Sequence, residues 1–169
     1  MKRAIFLDRD GVINKYLQNN YVRNWRDFSI IPDFENFWQR HREKYSFIVI
    51  TNQSGINRKL VDYPFFIELC KYLMERYGIE AIYFCPHTPD EKCKCRKPQN
   101  LLLKKAIERF KVDVENSYFI GDGEEDFLCA SSLNIKFILV LTGKTRLQEL
   151  ETWVQKPYMI VPNLSILDL

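Results

Sequence analysis

The sequence predicts a three-layer α/β fold built on a central parallel sheet, and three observations predict it. Short apolar runs alternate along the chain with segments of helical period, the pattern of repeated strand–helix units. The first run, Ala4-Ile5-Phe6-Leu7, is continuously apolar, as a strand covered on both faces would be. Carboxylate- and amide-bearing residues directly follow several of these runs, and right-handed crossovers put all such strand ends on one edge of the sheet. With 169 residues, 46% of them hydrophobic and 28% charged, the chain suits one domain over residues 1–169 with an ordinary core.

The strand of residues 4–7 runs into Asp8-Arg9-Asp10-Gly11. Aspartate is a poor strand former, so two of them at a strand end need a reason, and the glycine lets the chain turn sharply after them. Lys15 to Arg26 carries no period and reads as loop. Pro32-Asp33 opens a helix whose apolar face is Phe34, Phe37, Trp38 and His41, ending near Tyr45. His41, on that stripe, reads as a core or boundary histidine. Ser46 to Ile50 is a second strand and ends in Thr51-Asn52-Gln53-Ser54-Gly55. Pro64 to Tyr77 is a helix stopped by Gly78, with Cys70 packed in it. Ala81 to Phe84 is a third strand, leading into a cysteine- and histidine-bearing loop that runs to Pro98. Leu101 to Phe110 is helical, and Tyr118 to Ile120 is a fourth strand ending in Gly121-Asp122. Glu124 to Leu133 is a helix with Cys129 on its apolar face, Phe137 to Leu141 a fifth strand, Thr145 to Gln155 a further helix, and Tyr158 to Val161 a short last strand.

Composition narrows the classes of function. A net charge of +3 is too small to imply a nucleic-acid binder, and the basic residues form no stripe. No apolar run is long enough to cross a membrane. The run behind Met1-Lys2-Arg3 is broken by Asp8, too early for a secretory leader. The expectation is a cytoplasmic monomer with neither membrane nor nucleic-acid partner. In that setting the five cysteines are thiols or metal ligands, not disulfides.

Four polar clusters then meet on one edge: Asp8 and Asp10, Thr51 and Asn52, Arg96 and Lys97, and Asp122 with Asp126. Alone, each has a plainer reading, and Asp122-Gly123-Glu124-Glu125 would serve as the start of a helix. Together they point to chemistry. Clustered carboxylates suit Mg²⁺, which keeps waters and also contacts phosphate. One carboxylate can act as nucleophile while a second handles protons. A hydroxyl, an amide and a lysine can orient and neutralise phosphoryl oxygens.

FLDRDGVIN, VITNQSGI, CRKP and FIGDGEED resemble, in order, the four motifs of the haloacid dehalogenase (HAD) superfamily of phosphatases, over nearly the whole chain. The resemblance implies a Rossmann-like fold with Asp8 as nucleophile and Asp10 as acid and base. It implies Mg²⁺ on the Asp8 carboxylate, the Asp10 main-chain carbonyl and the Asp122 carboxylate, with Asp126 supporting that shell. Thr51 and Lys97 would hold the phosphoryl group. Arg9, Asn14, Asn52, Gln53 and Ser54 lie within the first two motifs and are candidates for substrate binding. The superfamily's strand order would set Asp8 and Asp122 on adjacent strands at the sheet's switch point. No interval between motifs would hold a large cap domain.

Cys85, His87, Cys93 and Cys95 form C-x-H-x5-C-x-C, three thiolates and an imidazole with no position left over, the pattern of a closed structural zinc site. Such a zinc would fix Arg96 and Lys97, which follow its last ligand. Within the superfamily a zinc loop before RKP resembles two groups, the heptose bisphosphate phosphatases and the histidinol-phosphate phosphatases. Tyr21-Val22, Asp27-Phe28, Ile31-Pro32 and Arg58 after TNQSGI favour the first. Against it stand the short zinc loop, nearer in spacing to the second group, Gly123 where a lysine is usual, and Gln99-Asn100 where Pro-Gly is common. The expected substrate is a small phosphorylated sugar, a bisphosphate cut at its primary phosphate, with Arg58 and Arg96 gripping the other. Histidinol phosphate is the alternative. A nucleic-acid 3′-phosphatase and a catalytically inert binding module are weaker readings, because zinc is foreign to the former and every motif acid is present.

Overall fold

The computed structural model describes residues 1–169. Its strands are β1 (Ala4–Leu7), β2 (Ser46–Asn52), β3 (Ala81–Cys85), β4 (Tyr118–Gly121), β5 (Lys136–Val140) and β6 (Met159–Val161). All are parallel, in the order β3-β2-β1-β4-β5-β6. The helices are α1 (Pro32–His41), α2 (Tyr63–Tyr77), α3 (Leu101–Phe110) and α4 (Glu124–Ser131).

The continuous apolar strands explain the three layers. Alternate side chains of β1 enter opposite cores: Ile5 and Leu7 pack with Phe34, Phe37, Leu69 and Leu73 of α1 and α2. Ala4 and Phe6 pack with Leu103, Ala106, Phe127 and Ala130 of α3 and α4. A strand buried on both faces has no polar positions to offer, and β1 is wholly buried. The order reverses between β1 and β4, which lie side by side. That puts Asp8 and Asp122 at neighbouring strand ends, in the crevice where ligands of open α/β sheets sit.

His41 is fully buried and structural: Leu169 donates its backbone N–H to Nε2 at 3.1 Å, so Nδ1 carries the proton and donates to Phe37 O at 2.7 Å. The helix expected over Thr145–Gln155 is instead a 3-10 segment at Leu147–Thr152. The tighter turn eclipses residues three apart, which brings Leu150 and Trp153 into the core together, Trp153 stacked on Phe127 at 5.6 Å. The start of that predicted helix is also drawn away, because Thr145 N donates to Asp122 O at 3.2 Å. Strand β2 runs on through Thr51 and Asn52, since both stay paired with β3.

Between β1 and α1 the chain makes a closed loop. Its neck is tied by Lys15 N to Ser29 O at 2.9 Å and Ile31 N to Ile13 O at 2.9 Å. Trp25 pins the far side, edge-on to Phe28, Phe65 and Tyr72 at 5.8, 5.7 and 5.4 Å. No helix is long and apolar enough to cross a membrane.

Candidate active site

The carboxyl edge of the sheet opens into a cavity of about 410 Å³ whose floor and walls include Asp8, Asp10, Asn52, Gln53, Ser54, Arg96 and Asp122. Asp8 leaves β1 with its own N–H still bonded to Ile120 O at 3.0 Å, so the strand register fixes its position. Its Oδ1 accepts from Arg9 N at 2.7 Å and pairs with Lys97 Nζ at 3.2 Å.

Lys97 is buried; its ammonium donates to Ile50 O at 2.7 Å and forms ion pairs with Asp126 Oδ1 at 2.6 Å and with Asp8. Burial alone would lower its pKa; the charges of Asp126 and Asp8 override that and drive it far upward, so Lys97 stays charged. Its backbone is clamped by one side chain: Asn52 Oδ1 accepts Lys97 N at 3.0 Å and Asn52 Nδ2 donates to Lys97 O at 3.2 Å. Thr51, also buried, accepts from Gln53 Nε2 at 3.0 Å.

Asp10 is held from several sides. Arg9 Nη2 reaches both its oxygens at 2.8 and 2.9 Å, and Asn14 Nδ2 and Gln53 Nε2 each donate at 2.9 Å. Burial pushes its carboxyl up, but the Arg9 guanidinium and the two amides outweigh this and hold it below the usual carboxylate value. The Asp10 turn needs Gly11 at φ +82°, and a Cβ there would stand 2.3 Å from Asp122 Oδ2.

Asp8, Asp122 and Asp126 bring oxygens within 4.8 Å of one another. Asp126 Oδ2 accepts Asp122 N and Gly123 N at 3.1 and 3.2 Å, while the buried Oδ1 lies 2.6 Å from the Lys97 ammonium as an ion pair and accepts no hydrogen bond. Asp8 Oδ2 and Asp122 Oδ1 are left without a protein donor. Asp122 is driven well above the usual carboxylate value by burial and then by the charges of Asp8 and Asp126, while Asp126 rises to about 7, mainly through burial. One ammonium does not balance three carboxylates. The free hard oxygens and the surplus negative charge fit a divalent ion such as Mg²⁺.

A second donor set lies beside the cavity. Cys85, Cys93 and Cys95 have sulfurs 3.3 to 3.6 Å apart, and His87 Nδ1 lies 3.4 and 3.2 Å from Cys85 and Cys95. Bonds of about 2.3 Å to a tetrahedral zinc would set sulfurs about 3.8 Å apart, so these spacings fit that ion. No disulfide competes for the thiols. The set touches the cavity directly: Arg96 N donates to Cys93 Sγ at 3.4 Å and Arg96 Nη1 to His87 O at 3.3 Å.

Every candidate site residue named from the sequence lies at this edge except Arg58, whose side chain is exposed and does not line the cavity. Of the far wall, the sequence had marked only Tyr21-Val22, and those as a family likeness rather than as site residues. Tyr16, Leu17, Asn19, Asn20, Tyr21 and Val22 come from the closed loop, with Tyr21 Oη 3.2 Å from Ser54 Oγ. Lys144 and Glu125 complete the lining. A signal was present: residues 142–144 follow a strand whose carboxyl end had to fall on the same edge.

Residues 94–167 match the HAD-hydrolase-like family. The chain is 37% identical over 160 residues, 90% of each protein, to the D-glycero-beta-D-manno-heptose-1,7-bisphosphate 7-phosphatase of Helicobacter pylori strain J99. It is also 37% identical over 150 residues, 85% of each, to the D-glycero-alpha-D-manno-heptose-1,7-bisphosphate 7-phosphatase of Campylobacter jejuni. Among solved structures it resembles the D,D-heptose 1,7-bisphosphate phosphatase from B. bronchiseptica complexed with magnesium and phosphate, with TM-score 0.87, 26% identity and 96% and 94% of the two chains covered.

Proposed function

The chain belongs to the HAD-like family of heptose-1,7-bisphosphate 7-phosphatases, and from that membership we propose that it removes the 7-phosphate of D-glycero-D-manno-heptose 1,7-bisphosphate through an aspartyl-phosphate on Asp8. The observation that carries the reading is the Asp8 carboxylate, one oxygen free and the other 3.2 Å from the Lys97 ammonium, on the floor of an open cavity.

Asp8 Oδ2 attacks phosphorus in line, and the sugar oxygen leaves with a proton from Asp10. Asp10 is held ionised in the free protein, and the negative charge of an arriving phosphate raises its proton affinity. Deprotonated after the first step, Asp10 then takes a proton from the water that hydrolyses the phosphoaspartate. Thr51 and Lys97 hold the transferring oxygens. Asp8, Asp122 and the Asp10 carbonyl, with Asp126 behind them, would hold Mg²⁺, which would supply charge neutralisation at the phosphoryl group. Cys85, His87, Cys93 and Cys95 would hold zinc, which would stiffen the loop that presents Arg96 and Lys97. Asn14, Gln53 and Arg9 orient Asp10, while Asn52 and Ser54 shape the floor.

The test is kcat/KM on both anomers of the heptose bisphosphate and on histidinol phosphate, with Asp8→Asn alongside. A heptose anomer should be preferred, and Asp8→Asn should lose at least about 10³-fold in rate while folding normally. Preference for histidinol phosphate, or phosphoryl trapping on another residue, would defeat the reading.

A further inference from the structure

Gly123 is in an extended conformation open to any residue, φ −142° and ψ 162°, so its backbone does not call for glycine. Space does. A Cβ at Gly123 would meet Lys144 Cε at 2.2 Å, Lys144 Nζ at 2.8 Å and Glu125 Oε2 at 2.8 Å. The tip of Lys144 thus lies where a side chain of residue 123 would begin.

Lys144 is held there through its backbone. Its N–H donates to Asp122 Oδ2 at 2.9 Å, and the preceding Thr142 Oγ1 donates to Gly11 O at 2.6 Å. Its ammonium pairs with Glu125 and, with Arg9 and Arg96, supplies the cations of the cavity lining. These three are not equivalent. Arg9 is turned onto Asp10, with Nη2 on both of its oxygens, and Lys97 lies below on the catalytic floor, where its ammonium bonds Ile50 O and pairs with Asp8 and Asp126. An ammonium has three donors and Lys144 spends one on Glu125; Arg96 spends its side chain only on His87 O.

We propose that Lys144, seated in the space that Gly123 leaves, forms with Arg96 the subsite for the phosphate that is not cut. The inference rests on the sugar-bisphosphate reading above. Glu125 holds the ammonium against the wall, and the second phosphate takes its remaining donors. The backbone of residues 142–145 is tied to the ends of β1 and β4, so the distance between the two phosphate sites is built into the sheet edge.

Two variants test this by different routes. Lys144→Met removes the charge and keeps the length. Gly123→Ala leaves every charge in the chain but displaces the lysine tip; the atoms it meets are flexible ends, so the fold accommodates it. Each is assayed on heptose 1,7-bisphosphate and on heptose 7-phosphate. The ratio of the two kcat/KM values should fall about tenfold in both variants, carried by KM for the bisphosphate, as loss of a charge-assisted contact uniform in ground and transition states requires. Inhibition by heptose 1-phosphate, which carries only the spared phosphate, should weaken in the same proportion. An unmoved ratio, or equal losses on both substrates, overturns the subsite. A native chain that turns over no heptose bisphosphate overturns the substrate reading, and the subsite falls with it.

Discussion

Lys97→Met is the sharpest single test of how the site is held together. The substitution keeps most of the buried volume and removes one ammonium with three partners, Ile50 O, Asp8 and Asp126. Three carboxylates are then left within 4.8 Å of one another with no internal cation. Removing one partner of a buried ionic set costs about 3–5 kcal/mol. At ~2.1 cal/mol/K of unfolding entropy per residue, that lowers Tm by roughly 8–14 °C for a chain of 169 residues. The cost depends on pH, and its sign follows from Asp126. Burial, against the pull of Lys97, already sets that carboxyl at about 7 when folded, above its ordinary value, and losing Lys97 raises it further. A carboxyl raised on folding destabilises fully above its folded value and recovers as pH falls through it. The variant's deficit should therefore be largest near pH 8.5 and smaller near pH 5.5, by at most about 1.4 kcal/mol for each pH unit over which only the variant is protonated. Urea unfolding of the zinc-loaded protein without added Mg²⁺, at both pH values, reads this directly. A deficit absent at pH 8.5, or one that grows on acidification, would refute the electrostatic account. In activity the same variant should lose about 10²–10³-fold in kcat, as when one donor to a developing anion is removed.

The zinc set should hold about one equivalent of Zn²⁺ through dialysis against Mg²⁺ buffer, read by elemental analysis, and Cys93→Ala should lose it. Since Cys93 Sγ accepts from Arg96 N, that variant should raise KM more than it lowers kcat. Gly143→Ala should be far more damaging than its size suggests: the added carbon would lie 1.9 Å from Asp122 Oδ2 and 2.4 Å from its Cβ, so a buried carboxylate must move. A loss of Mg²⁺ affinity of about tenfold or more, measured by activity against metal concentration, is expected; unchanged affinity would show that Asp122 does not need its present seat.

The parallel sheet could be read from the chain because both faces of every central strand are buried, which leaves apolar runs without alternation and sharp polar ends. Those ends carry most of the candidate site, so Asp8, Asp10, Thr51 and Asp122 were visible for the same reason as the strands, while Lys97, twelve residues past β3, was marked by the motif that follows the cysteine loop. What escaped was chemistry without a side-chain signature. Lys144 acts on Asp122 through a backbone N–H, and its tip is placed by the absence of an atom at Gly123. Arg58 follows a motif in sequence, but the turn after Ser54 leaves it exposed, away from the cavity. Thr145–Gln155 has composition suited to a helix, yet two core side chains three residues apart select the tighter turn.

The closed loop between β1 and α1 has a consequence for how such an enzyme can change. Its neck is stitched at Lys15 to Ser29, and its outer side is moored on Phe65 and Tyr72 of α2 by Trp25. The residues between those two anchors, Tyr16 to Val22, form the cavity wall and take no part in the sheet. Lengthening or shortening that stretch would reshape the wall over Asp8 while the strand registers behind Asp8 and Asp122 stay as they are. The loop wall of the cavity and the strand ends that seat Asp8 and Asp122 thus lie on separate pieces of backbone, and selection can revise the first without disturbing the second.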